Sequence, residues 1–238
     1  MTPDEIVERV LFRDAMMLVL DKPAGLAVHA SGRDDDHLGH YLDALRFGLP
    51  HAPELAHRLD RETSGCLVLG RHRQALKKLG ALFAHGKVRK TYWALVVGGP
   101  AEESGLIDAP LAKLERKYGW RMKVDAAGQP SRTEWRVLGR GGRLCWLECH
   151  PLTGRTHQIR VHLASIGCPI VGDRFYGAGT ADLIAPNLHL HARSVSLPLY
   201  HQKPPIVVEA PLPEAMASGF GSCGWLGEAS PFPNKGVE

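Results

Sequence analysis

Residues 133–149 read Thr133-Glu134-Trp135-Arg136-Val137-Leu138, then Gly139-Arg140-Gly141-Gly142-Arg143, then Leu144-Cys145-Trp146-Leu147-Glu148-Cys149. Two runs of strand formers flank a glycine-rich loop, the pattern of an antiparallel pair. Upstream, Trp120–Val124 reads as a further strand and Gly128-Gln129-Pro130 as a turn, so residues 106–149 read as an antiparallel meander. Before it lies Lys90–Val97, rich in strand formers and stopped by Gly98-Gly99-Pro100. Residues 74–84 place Leu76, Leu79, Leu82 and Phe83 at helical spacing, with Lys77 and Lys78 on the other face and His85-Gly86 as the cap. Cys66–Leu69 is short and apolar, a buried strand. The spacing of Leu38, Tyr41, Leu42 and Leu45 predicts a helix over 37–47, ended by Pro50 and Pro53. Residues 16–29 predict an opening hairpin that turns at Pro23 and Gly25. After the meander, Thr156 predicts the N-cap of a helix that buries Ile159, Leu163 and Ile166, ends at Gly167 and exposes Arg160. Strands with scattered helices give one α+β domain over 1–210 with a mixed, mainly antiparallel sheet and flanking helices. Residues 211–238, rich in Gly, Pro and Ser, predict a loose tail.

Composition narrows the class. Hydrophobic residues at 44% and charged residues at 23% exclude a disordered or fibrous chain. The 26 glycines and 17 prolines among 238 residues argue against a plain helix bundle. Met1–Glu8 has neither a basic nor an apolar targeting region, which points to the cytoplasm. The apolar run Ala15–Leu20 is far short of the roughly 20 residues that cross a bilayer. Five cysteines form no C-x-x-C pair and read as reduced, buried small hydrophobes.

Two polar constellations carry chemistry. His57-Arg58-Leu59-Asp60-Arg61-Glu62-Thr63-Ser64-Gly65 sets one short carboxylate between two arginines, which favour its ionised form. Thr153-Gly154-Arg155-Thr156-His157-Gln158-Ile159-Arg160-Val161-His162 gathers two arginines, two histidines and a glutamine around a helix start, where anions are favoured and an arginine calls for a compensating anion. The competing readings are a loop aspartate paired at the surface and a solvated first helical turn. His157 and His162 are five apart, about 140° around a helix, so they do not make a metal pair.

These residues resemble the RluA-type RNA pseudouridine synthases over about residues 16–210. The resemblance is carried, in order, by Leu20-Asp21-Lys22-Pro23-Ala24-Gly25-Leu26, His57-Arg58-Leu59-Asp60 with Thr63-Ser64-Gly65, Arg89-Lys90-Thr91-Tyr92, and the run from Thr153 to His162. Gly167-Cys168-Pro169-Ile170-Val171-Gly172-Asp173 and Leu190-His191-Ala192 match further stretches, with Cys168 where histidine is frequent. The resemblance implies a bent sheet with a central cleft and Asp60 at its floor. It implies that Asp60 is the catalytic aspartate, that Tyr92 packs on the target base and helps remove the proton at carbon 5, and that Arg160 salt-bridges Asp60. Arg58 then enters the RNA where the target base has flipped out, since a stacked base hides its glycosidic bond. Lys22, Arg61, Lys90, Arg155, His157 and Gln158, from the same motifs, are the candidate RNA contacts. The implied reaction isomerises uridine to pseudouridine in structured RNA without metal or cofactor, ribosomal RNA being favoured over transfer RNA. Many relatives carry an extra N-terminal RNA-binding domain, and here the Lys22 motif starts too early to leave room for one.

The expected partner is RNA, with no membrane and no obligate protein partner, and the expected state is a monomer. Net charge is only +4, yet residues 57–160 carry a net +11 and the remainder a net −7. The excess of positive charge therefore lies where a polyanion would be held. Residues 31–36 and 109–129 are the candidate target-selecting loops, the latter with Lys113, Arg116, Lys117, Arg121 and Lys123. Rival readings are an RNA-binding protein without catalysis and a glycosidic-bond hydrolase using Asp60 with Glu62. A His57, Asp60, Ser64 hydrolase lacks the G-x-S-x-G turn.

Overall fold

A computed structural model describes residues 1–30, 36–116, 119–177, 179 and 185–227. Its elements run α1 (Pro3–Glu8), β1 (Val10–Arg13), β2 (Met17–Lys22), two 3-10 turns (Leu38–His40 and Leu42–Leu45), β3 (Glu54–Leu55), β4 (Ser64–Gly70), α2 (Arg73–Ala84) and β5 (Arg89–Val97). They continue with β6 (Ser104–Asp108), β7 (Leu111–Arg116), β8 (Gly119–Val124), β9 (Arg132–Gly141), β10 (Leu144–Pro151), α3 (Gln158–Ser165), β11 (Leu190–Leu197), β12 (Ile206–Glu209) and α4 (Glu214–Ser222). The main sheet is ordered β1-β2-β4-β11-β5-β10-β9-β6, with β12 beside β11 and β3 beside β4. β4 and β11 run parallel and the other described strand pairs antiparallel, so the α+β, mixed and mainly antiparallel expectation holds.

The sheet is covered on both faces around β2 and β4. Leu18, Leu20, Leu67 and Leu69 join one apolar cluster, while Met17, Val19, Cys66 and Val68 join another with Leu79 of α2. Strand alternation sends successive residues to opposite faces, so with both faces covered all seven residues of β4 are buried and Cys66–Leu69 reads as an unbroken apolar run. Helix α2 follows its predicted periodicity closely. It ends in a Schellman closure, with Gly86 N–H donating to Phe83 O and Lys87 N–H to Leu82 O, and Gly86 at φ 64° supplies the left-handed turn.

Several expectations are corrected. The opening hairpin is β1–β2, because Asp14 accepts from the N–H groups of Met16 and Met17 and turns the chain there. The segment after Lys22 makes one bridge, Ala27 to His37, and no strand. The predicted helix over 37–47 is two 3-10 turns. Within the meander, β7 and β8 pair with each other as a separate two-stranded hairpin. Helix α3 starts one residue later than the Thr156 cap predicts: His157 is the cap, left-handed at φ 54°, and uses no side-chain cap bond. Arg160, expected at the surface, is 3% exposed, and Ile166, expected in the core, is 40% exposed. The tail expectation fails for 214–222, which form α4 and bury Met216 and Phe220 against Leu95, Trp93 and Trp146. Gly139 and Gly141 of β9 permit this approach, since a Cβ on either would run into the carbonyl oxygens of Cys223 and Ser222. Residues 31–35, 117–118 and 228–238 lie outside the described residues, so part of both candidate loops and the end of the predicted tail do too.

Candidate active site

A cleft of about 810 Å³ opens between the loop preceding β4, the start of β5 and the connection from β10 into α3. Asp60, Tyr92, Arg160, Arg58, Lys90, Arg155, His157 and Gln158 all line it. The two constellations, about 100 residues apart in sequence, are thus brought to one site. A smaller recess of about 460 Å³ shares Gly154, Arg155 and Thr156 with the cleft and continues to Lys113 and Met122 of the β7–β8 hairpin.

The loop carrying Asp60 is pinned on both sides. Leu59 is buried in the core. His57 Nε2 accepts from Val68 N–H at 3.0 Å, and its ring stacks on Phe83 with centroids 4.5 Å apart. Burial, with Lys90's charge adding to it, lowers the His57 pKa to about 3, so the ring is neutral and structural. Beyond Asp60, Thr63 N–H donates to the Asp60 carbonyl, and Ser64 Oγ hydrogen-bonds His191 Nδ1 at 2.9 Å. Gly65, at φ 101°, lies where a Cβ would strike the Ala192 carbonyl, which allows β4 and β11 to meet in parallel. These partners exclude a His57, Asp60, Ser64 triad. Glu62 is exposed and outside the cleft lining, so it makes no catalytic pair with Asp60.

Tyr92 lies on β5 opposite Cys149 and is 9% exposed. Burial, reinforced by the Asp60 charge, raises its pKa, so the phenol is neutral around pH 7. Lys90 Nζ donates to Thr153 O at 3.2 Å, and burial lowers its pKa to about 8. Arg58 and Arg155 are exposed on the cleft wall.

Arg160 departs most from expectation. Its main partner is Asp173: Nε donates to Oδ2 at 2.8 Å and Nη2 to Oδ1 at 2.7 Å, and the Asp173 side chain is fully buried. Arg160 Nη1 stands 3.8 Å from Asp60 Oδ2, so the expected ion pair exists in a longer form. Burial opposes the guanidinium charge, yet the Asp173 hydrogen bonds and charge, then the charge of Asp60, hold its pKa above the ordinary value. Asp173 is the compensating anion that the helix start called for. It stood within a matched stretch, Gly172-Asp173, but nothing in the sequence assigned it a partner.

Two expected RNA contacts, Lys22 and Gln158, are corrected, and Arg61 takes a second role. Lys22 is 0% exposed, and its ammonium donates to the carbonyls of Pro23, Leu26 and Arg61 at 2.8, 2.9 and 2.9 Å. Arg61 is exposed beside the cleft, with Nε donating to Gly25 O while Gly25 N–H donates to Arg61 O. These bonds tie the turn after β2 to the Asp60 loop. Gln158 is 4% exposed; its Oε1 accepts from Thr153 Oγ1 and Arg155 N–H, and its Nε2 donates to Arg132 O and Thr133 Oγ1. It closes the start of α3 where a cap at Thr156 was expected. Of the basic hairpin set, Lys123 pairs with Asp125 at 2.6 Å and Arg121 Nη1 donates to Phe175 O at 2.6 Å. Lys117 and the Arg116 side chain lie outside the described residues.

The five cysteines are buried free thiols. Among the described residues no helix is long and apolar enough to cross a membrane, and no three His, Cys, Asp or Glu cluster as metal ligands.

The cleft thus sets a carboxylate against a buried arginine, beside a neutral tyrosine, with two exposed arginines on its wall. Residues 16–165 match the family model described as RNA pseudouridylate synthase. An uncharacterized RNA pseudouridine synthase of Zymomonas mobilis is 43% identical over 218 residues, 90% of this chain and 99% of that protein. Ribosomal large subunit pseudouridine synthase D of Nitrosomonas europaea is 40% identical over 88% of this chain and 63% of that protein. Ribosomal large subunit pseudouridine synthase C of Vibrio cholerae is 38% identical over 87% and 67%. Among solved structures, human RNA pseudouridylate synthase domain containing 4 superposes with a TM-score of 0.77 at 26% identity, covering 92% of this chain and 94% of that one. The chain belongs to the RNA pseudouridylate synthase family and is an RNA pseudouridine synthase, an isomerase.

Proposed function

We propose that this chain isomerises uridine to pseudouridine in ribosomal RNA, acting as a monomer in the cytoplasm, with Asp60 as the catalytic carboxylate. The observation that carries the reading is the meeting of Asp60, Tyr92, Arg160 and Arg58 in one cleft with further cations on its walls. The target nucleotide leaves its stack, at a cost of a few kcal/mol that phosphate contacts elsewhere offset. Asp60 assists cleavage of the bond between N1 of the base and C1′ of the ribose. The base turns in the cleft and rejoins C1′ through carbon 5, which loses its proton while N1 gains one, so no atom enters or leaves overall. The Tyr92 ring packs on the turning base, and Arg160 holds its positive charge beside Asp60. Arg58, exposed on the cleft wall, enters the gap left by the flipped base. Ribosomal RNA is favoured because two similar proteins are named for the large ribosomal subunit.

Pseudouridine mapping of total RNA with and without the gene tests the reading. Loss of one or more ribosomal positions is expected, and loss confined to transfer RNA would move the substrate there. Purified Asp60→Asn protein should bind RNA and leave uridine unconverted, and near wild-type conversion would overturn the assignment.

A further inference from the structure

The segment Asp173–Gly177 touches both Arg160 and the β7–β8 hairpin, which lines the recess adjoining the cleft. On its inner side Asp173 receives four hydrogen bonds: Oδ1 from Arg160 Nη2, Phe175 N–H and Tyr176 N–H, and Oδ2 from Arg160 Nε. The rings of Phe175 and Tyr176 lie 5.2 and 5.3 Å from the Arg160 guanidinium, so the same few residues hold it at its edge and over its face. On the outer side the Phe175 carbonyl accepts from Arg121 Nη1 at 2.6 Å, and the Arg121 guanidinium sits 5.2 Å from the Phe175 ring centroid. The Tyr176 hydroxyl accepts from Met122 N–H at 3.0 Å and shares a 2.8 Å hydrogen bond with His157 Nδ1. His157 is the left-handed residue, φ 54°, from which α3 and Arg160 begin.

We infer that Tyr176 is a positioning residue, whose hydroxyl ties the β7–β8 hairpin to the start of α3 and so sets Arg160 against Asp60 when RNA occupies the cleft. The inference rests on the reading of Asp60 and Arg160 given above. Arg160 stands 3.8 Å from Asp60, beyond hydrogen-bond reach, so a small displacement of α3 or of the Asp173 segment decides whether that contact closes. The hairpin borders the recess continuous with the cleft, and force on it from bound RNA reaches Arg160 through Arg121–Phe175 and Met122–Tyr176–His157. A strained backbone at His157 that neighbours hold in place fits a site under such tension.

The test uses the full chain, in excess, on total RNA from a strain lacking the gene, carrying tritium at uridine carbon 5. Tritium release against protein concentration separates a limiting rate from a half-saturation concentration. Tyr176→Phe keeps the ring over Arg160 and removes both hydroxyl bonds. The limiting rate should fall about tenfold, with half-saturation and thermal midpoint little changed. An unchanged limiting rate overturns the proposal, and so does a loss that appears wholly in half-saturation, which would make Tyr176 an RNA contact. Should Tyr176→Phe fail to fold, Arg121→Gln breaks the hairpin's other bond to the same segment, at the Phe175 carbonyl, and so loosens the hairpin's hold on Tyr176 and Arg160. It is expected to lower the limiting rate as well as weaken binding, and an unchanged limiting rate overturns the proposal. Asp60→Asn runs beside these variants: if it stays active, the underlying reading has failed, whereas if it is inactive while both other variants keep the wild-type limiting rate, only the positioning role has.

Discussion

Arg160 and Asp173 form a bidentate pair at 2.8 and 2.7 Å in the interior, and Asp60 meets the same guanidinium at 3.8 Å from the cleft side. One buried cation therefore serves two carboxylates with different work. Asp173 is saturated with donors and inaccessible, so it anchors. Asp60 is partly exposed and faces the cleft, so it can meet a substrate.

Breaking the anchor alone should be costly. Arg160→Met leaves the Asp173 carboxylate buried without its counter-charge, a loss of about 3–5 kcal/mol. Adding Asp173→Asn removes the stranded charge while its carbonyl still accepts from Phe175 and Tyr176 N–H, so much of the stability should return. Activity should not return. Urea denaturation of the single and double variants, with tritium release, separates the two roles, and an equally unstable double variant would contradict this account.

The sequence made the apolar framework legible and left the charged interior hidden. Leu79 of α2 and the run Cys66–Leu69 declare themselves through period and length, because apolar burial leaves a local pattern. Asp60, Tyr92 and Arg160 were reachable because each sits in a long motif, and all three do line one cleft. Lys22 and Arg160 were misread as surface groups because what buries them is distant in sequence: Arg61 is 39 residues from Lys22, and Asp173 is 13 from Arg160. The opening hairpin was misplaced for a local reason, the Asp14 side-chain turn, which a Pro23–Gly25 signal outweighed. Helix α1 did carry a readable mark, the Thr2–Glu5 capping box with Pro at its first turn.

Lys22 makes stability depend on pH in an unusual direction. Burial lowers its pKa from 10.5 to about 7, against the charges of Glu62, Asp60 and Asp21, which act to raise it. Three carbonyl acceptors also favour the ammonium, yet burial dominates. Between about 7 and the ordinary value of 10.5, the unfolded chain holds a proton that the folded chain has released. Stability should therefore rise with pH across that window by up to about 1.4 kcal/mol per unit. Lys22→Met should reduce this slope, leaving the share of Lys90, whose pKa burial lowers to about 8, and should lower stability overall, since three carbonyls lose their donor. Urea midpoints at pH 7 and 9 for both proteins check the sign, and equal slopes would refute it.

Buried histidines, His57 and His191 foremost, should weaken the fold in acid. Burial lowers the pKa of His57 to about 3 and that of His191 to about 4, from 6.5. Between those values and 6.5 the unfolded chain binds protons that the folded chain refuses, so stability falls as pH drops through the window. Each contributes up to about 1.4 kcal/mol per unit. His191→Asn should flatten the fall between pH 6.5 and 4.5 at some cost at pH 7, where Ser64 loses its partner. An unchanged acid slope would show that carboxylates, not His191, control it.

Salt dependence should distinguish cations that face RNA from those that hold the fold. Arg58 and Arg155 are exposed on the cleft wall, so each phosphate they neutralise releases counterions. Replacing either with Gln should reduce the slope of log affinity against log salt by roughly 0.7, the value for single strands. Lys123→Gln should change the slope less, since Lys123 already has Asp125 at 2.6 Å. Lys22→Met should not change it at all, because that ammonium is spent on three carbonyls inside the protein. Filter binding between about 50 and 200 mM salt resolves these classes. A slope change for Lys22 equal to that for Arg58 would mean that overall charge, rather than placement on the cleft wall, governs RNA affinity.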